Sequence, residues 1–222
     1  MLAAGAGYAR FRAGQAVARR HRTQVTGSPA VGQDVSMPTH VALLRAVNVG
    51  GGGKIVMADL RRVISALGHS EVTTYIQTGN VVFTATRADT LALASEMEAA
   101  IAAALNVRPS VIVLAKAELA AVVSGIPYAD EPNPKLVHCV FLPAEPDQDA
   151  RRQLGETAAL AAERGGTDEA TLLGKTLYLH TPGGFGTSEL ARLLLTKRNS
   201  PVAGGTARNW ATVIKLHALC EV

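Results

Sequence analysis

The chain has 222 residues, 48% of them hydrophobic and only 4% aromatic, which suits one domain or two small ones built around aliphatic cores. Its formal charge of +4 lies wholly in residues 1–36, where Arg10, Arg12, Arg19, Arg20 and Arg22 face Asp34 alone. The rest carries 17 of the 22 basic and 17 of the 18 acidic residues, so it has no net field to draw in a polyanion, although a local basic patch stays open.

The first 36 residues are Arg-rich and nearly acid-free. They have no apolar stripe and make a poor secretion signal. We expect them to lack a packed fold, as a leader or as a start assigned too far upstream of Met37. From Met37 the elements alternate. HVALLRAVNV reads as a strand and runs into four glycines, Gly50 to Gly53. MADLRRVISALGH reads as a helix, with Leu60, Val63, Ile64 and Leu67 on one stripe and Gly68 as its stop. EVTTYIQ and VVFTA read as strands joined by a short turn through Thr78, Gly79 and Asn80, where Gly then Asn suits a two-residue hairpin loop. DTLALASEMEAAIAAALN is a helix capped by Asp89, with Leu93, Met97, Ile101 and Leu105 on one face. PSVIVLA is a fourth strand.

KAELAAVVSGI then reads as a helix and PYADEPNPK as a connector. A second set follows: strand KLVHCVFLPA, helix DARRQLGETAALAAERG, strands ATLLG and KTLYLHTP, and helix TSELARLLLTKR with Thr187 or Ser188 as cap. The last helix is predicted over TARNWATVIKLHALC, with Thr206 as a cap and Trp210, Val213, Ile214 and His217 sharing a face. The stretch YLHTPGGFGTSELARLLL repeats the strand, glycine loop and helix of the first unit and hints at duplication. The order β-α-β-β-α-β is the split βαβ pattern. It predicts an α+β protein with two ferredoxin-like (α/β-plait) lobes, 37–128 and 129–222. It also predicts that Asn48–Lys54 and Gln77–Asn80 emerge at one end of the first sheet.

Chemistry-bearing motifs are sparse. No CxxC, HxxxH or HExxH spacing offers a metal site, and no apolar run nears the ~18 residues of a membrane span. Cys139 and Cys220 lie far apart, and a reducing, cytoplasmic setting is the simpler reading. A Walker loop fails because Asn48 stands where its first glycine belongs and Ile55 replaces its hydroxyl. The Rossmann pattern fails too, so no cofactor is expected. What remains is a glycine loop opening a helix, a nest of N–H groups suited to an anion, with Arg45 and Lys54 close by. The competing explanation is a flexible connector. Tyr75, Gln77 and Asn80 form a polar group that is either ordinary hairpin decoration or part of a site. Trp210 reads as a core anchor, while Arg208 could meet an anion or solvent. The histidines show no useful pairing, and no nucleophile elbow or carboxylate pair stands out. An RNA-stacking sheet lacks its aromatics.

The blocks LLRAVNVGGGGKIVMADLRRVISALGHSEVTTYIQTGNVVF and ARNWATVIKL resemble those of the domain of unknown function 1697 family, over roughly Met37 to Val222. The resemblance implies two α/β-plait lobes in a cytoplasmic bacterial protein, and no activity. The family usually has Gly where Ala46 stands and Ser where Thr78 stands. On that comparison Asn48, Gly50, Gly51 and Lys54 fit the pattern, and Gly52 and Gly53 read as drift. The leading expectation is a site for a small anionic or phosphorylated ligand built from Arg45, Asn48, Gly50, Gly51, Lys54, Tyr75, Gln77, Asn80, Arg208 and Asn209. The alternatives are nucleic-acid binding and a non-catalytic interaction or assembly module.

Overall fold

Strand β1 (His40–Leu44) is buried at every position, which is why VALL is an unbroken apolar run instead of an alternating one. In the computed structural model it lies between β3 (Asn80–Thr84) and β4 (Val111–Ala115), with β2 (Ser70–Tyr75) beyond β3, giving the order β2-β3-β1-β4. All pairings are antiparallel. The model describes residues 39–49, 53–196 and 200–222. The expectations for residues 1–36 and for Gly50, Gly51 and Gly52 lie outside them.

A second four-stranded antiparallel sheet runs β6-β7-β5-β8, from β5 (Val137–Phe141), β6 (Glu169–Leu173), β7 (Thr176–His180) and β8 (Thr206–Asn209). With α1 (Met57–Ala66), α2 (Thr90–Leu105), α3 (Lys116–Ser124), α4 (Gln148–Glu163), α5 (Glu189–Thr196) and α6 (Trp210–Leu219), this is a mixed α+β fold. The second set repeats the first in both element order and strand order. The glycine-loop echo seen in the sequence is out of step with that repeat: it aligns β7 and α5 with β1 and α1, whereas topologically they match β3 and α2.

Three apolar clusters explain the layers. Ala42, Leu44 and Phe83 of the first sheet pack on Leu60, Ile64 and Met97 of α1 and α2. Val140, Leu177 and Leu179 of the second sheet pack on Leu190, Leu193 and Leu194 of α5. The opposite faces share a third cluster, in which Val41, Leu43 and Val82 join Phe141, Tyr178 and Val213. Each fully buried side chain of this size contributes about 1.5–3 kcal/mol, so the shared cluster ties the two sheets together.

Local signals behave as the residues dictate. Asp89 accepts from the Leu91 and Ala92 N–H groups to open α2, and Ser188 accepts from Ala191 N to open α5. The C-terminal segment departs from expectation. Thr206–Asn209 is a strand, because its N–H and C=O groups pair with β5 (Arg208 opposite Cys139), and Asn209 rather than Thr206 caps α6 by accepting from Thr212 N. The buried face of α6 is accordingly Thr212, Val213 and Leu216, and Ile214 points outward, 44% exposed. The β2–β3 loop has four residues, Ile76–Gly79, closed by the Tyr75–Asn80 pair.

Candidate functional site

At Leu44 the first sheet ends and the chain turns sharply. Ala46 and Asn48 both take left-handed backbone (φ 54 and 57). Asn tolerates this conformation; Ala does not do so freely. Asn48 holds the turn. Its Nδ2 donates to Ile55 O (2.9 Å) and Gln77 O (2.8 Å), and its Oδ1 accepts from Ile55 N (2.9 Å). The loop and the hairpin therefore meet at one sheet end, as the topology requires. Gly79 is needed there: its φ is +76, and a Cβ would lie 2.7 Å from Leu44 Cβ. Gly53 also proves constrained and not drift, because a Cβ would come within 2.3 Å of the stiff Val107 side chain.

Arg208 reaches across from β8 of the second sheet. It is only 8% exposed. Its Nε donates to Asn80 Oδ1, Nη1 to Thr206 Oγ1 (2.7 Å) and Ala207 O (2.8 Å), and Nη2 to Leu44 O (2.8 Å), Thr78 O (3.1 Å) and Gly79 O (3.3 Å). All five guanidinium N–H groups are thus used, and every acceptor is neutral. Burial pulls its pKa down to about 10, so it remains charged at neutral pH with no carboxylate on it. Asn80, itself fully buried, spends its Nδ2 on Tyr75 O and Thr78 Oγ1.

Above this clamp lies a cleft of about 380 Å³. One side is Arg45, Ala46, Val47, Val49, Ile76 and Thr78 from the first sheet's end. The other is Thr206–Asn209 and Thr212, with His138, Phe185 and Leu195. Among the described residues its lining holds two arginines and no carboxylate. Arg45 is exposed, and its guanidinium has no partner among the described residues. It also borders an adjoining hollow of about 330 Å³ beside Thr196, Val202 and Gly204. His138 stacks on Phe185 with ring centroids 3.8 Å apart, and its Nδ1 has no hydrogen-bond partner. Burial lowers its pKa to about 4, so it is neutral at pH 7.

Of the residues singled out in the sequence, Arg45, Arg208 and Asn209 line the cleft. Asn48 and Asn80 brace its wall from behind. Tyr75 packs against the shared apolar cluster, and Lys54 and Gln77 are exposed outside the lining. Sequence reasoning missed His138, Ile76 and Phe185. Only His138 left a trace, as a polar residue inside the apolar run LVHCVFL. Among the described residues no group of three or more His, Cys, Asp or Glu side chains could hold a metal, and no helix is long and apolar enough to cross a membrane.

Residues 37–178 match the model of a family described as Protein of unknown function (DUF1697). The C-terminal block ARNWATVIKL lies beyond that match. Among solved structures the chain is similar to a conserved bacterial protein from Streptococcus pneumoniae, with a TM-score of 0.61 and 20% identity over 83% of this chain and 99% of that one. At that identity the likeness concerns the fold alone. No curated protein matches the chain.

Proposed function

The chain belongs to the Protein of unknown function (DUF1697) family, and from that premise we propose that it binds a small anionic ligand in the cleft where its two sheets meet. The observation that carries this reading is the lining among the described residues: Arg45 with an uncommitted guanidinium, Arg208 buried without a counter-charge, and no carboxylate. A buried positive charge solvated only by neutral acceptors leaves a positive potential in the space above it, and low-dielectric walls focus that potential. Arg45 supplies the direct contact. Arg208 has no spare N–H and acts through its field and by holding the walls in place. Asn48 and Asn80 keep the loop and hairpin in register.

Each half is read as a ferredoxin-like plait, 37–128 and 129–222. The support is the β-α-β-β-α-β order and the 2-3-1-4 strand arrangement in both sheets. The ligand site then lies between the halves, the usual position for a concave site. Thermal-shift measurements with inorganic phosphate, acetate and longer carboxylates test the reading. Stabilisation that grows with anion concentration in the wild type and disappears in Arg45→Ala supports it. Equal shifts in both proteins, or none in either, would refute it.

A further inference from the structure

Beyond its charge, the cleft has an apolar mouth. Val49 and Ile76, which flank Arg45, are 50% and 48% exposed. Ile76 holds φ at +50. A β-branched residue rarely takes that conformation, and Asn or Gly would sit there without steric conflict. The strain brings no packing to the fold, because the side chain stands half in solvent at the cleft's edge. Facing it are Leu195 and the Phe185 ring stacked on His138. Because Arg208 is saturated, Arg45 is the one lining cation with free N–H groups among the described residues. A single free guanidinium takes one bidentate anion, and its single charge matches a carboxylate better than a phosphate dianion.

We propose that the cleft takes an amphipathic monocarboxylate of about a dozen non-hydrogen atoms, the size at which groups of ~30 Å³ fill its volume of about 380 Å³. The carboxylate sits on Arg45, and the chain or ring lies against Val49, Ile76, Leu195 and Phe185. This rests on the anion-binding reading and adds the nature of the ligand's body. His138, neutral and stacked, forms part of the apolar wall.

The test is isothermal titration of the full chain with octanoate, acetate, inorganic phosphate and octan-1-ol, below micellar concentrations. It is run on the wild type, Arg45→Ala and Ile76→Asn. Each buried methylene is worth about a four-fold gain in affinity, so octanoate is expected to bind at least about 100-fold more tightly than acetate. Ile76→Asn relieves the strained φ, so its melting temperature should rise while octanoate binding weakens about three- to ten-fold. Arg45→Ala should remove the preference for octanoate over the alcohol. If acetate and phosphate bind through Arg45 as tightly as octanoate, and Ile76→Asn changes nothing, the amphipathic ligand is wrong while anion binding stands. If no anion binds, or if binding is undiminished in Arg45→Ala, both fail.

Discussion

Replacing Arg208 with methionine keeps the volume of the clamp and removes its charge and donors. Three acceptors of the first sheet's end, Asn80 Oδ1, Leu44 O and Thr78 O, then lose the guanidinium N–H groups that reach them, as do Thr206 Oγ1 and Ala207 O beside Arg208 itself, while Gly79 O keeps its bond from Leu44 N. Leaving a buried acceptor unpaired costs about 1–3 kcal/mol, so three cost roughly 3–9 kcal/mol. Against this, the unfavourable burial of the cation is relieved. Burial lowers its pKa from the ordinary guanidinium range to about 10, which corresponds to on the order of 3 kcal/mol returned. The net loss is then at most about 6 kcal/mol and about 3 kcal/mol at the middle of the range, a large part of a typical stability of about 5–15 kcal/mol. For a chain of this size that lowers the melting temperature by roughly 5–15 °C. Urea and thermal unfolding followed by circular dichroism measure it. Arg208→Lys should fall between the two, since an ammonium has three donors for the guanidinium's five. If Arg208→Met costs less than about 1 kcal/mol, the clamp does not join the sheets as described.

Asn48→Ala removes three hydrogen bonds at a left-handed position and should destabilise by about 2–4 kcal/mol in urea unfolding; a neutral result would contradict the bracing role. Ala46→Gly should stabilise by about 0.5–1 kcal/mol, because the φ of 54 is relieved at a smaller cost in unfolded-chain entropy. His138, with its pKa lowered from 6.5 to about 4, binds its proton more readily in the unfolded chain. Stability is therefore full above pH 6.5 and should fall by about 2 kcal/mol, allowing for partial solvent contact, as the pH drops toward 4. His138→Gln should flatten the pH dependence of unfolding in that window.

Much of the fold was legible in the sequence because its signals are local. The α1 stripe, the Asp89 cap and the apolar run of β1 each follow from neighbours a few residues away. The meeting of the glycine loop with the hairpin followed from topology alone. TARN failed as a helix start because its pairing partner, β5, lies about 70 residues earlier, and edge pairing overrides the local cap signal of Thr206. The clamp was illegible for the same reason. Arg208 bonds to Asn80 and Leu44, separated from it by 128 and 164 positions, and nothing around Arg208 marks it as buried. Ile76 escaped notice because a strained φ leaves no mark in sequence when the residue is not glycine. Gly53 was misread as drift because the residue it must clear, Val107, lies 54 positions on, in the segment between α2 and β4.

The most direct test of anion binding in the cleft is a heteronuclear NMR titration of the labelled protein with octanoate. The account predicts saturable shifts in the amides of Arg45–Val49, Ile76–Thr78 and Thr206–Asn209, with a midpoint moved to much higher octanoate concentration in Arg45→Ala. Shifts confined to another hollow, such as that formed by Gly183, Gly184 and Thr187, or no saturable shifts at all, would contradict it.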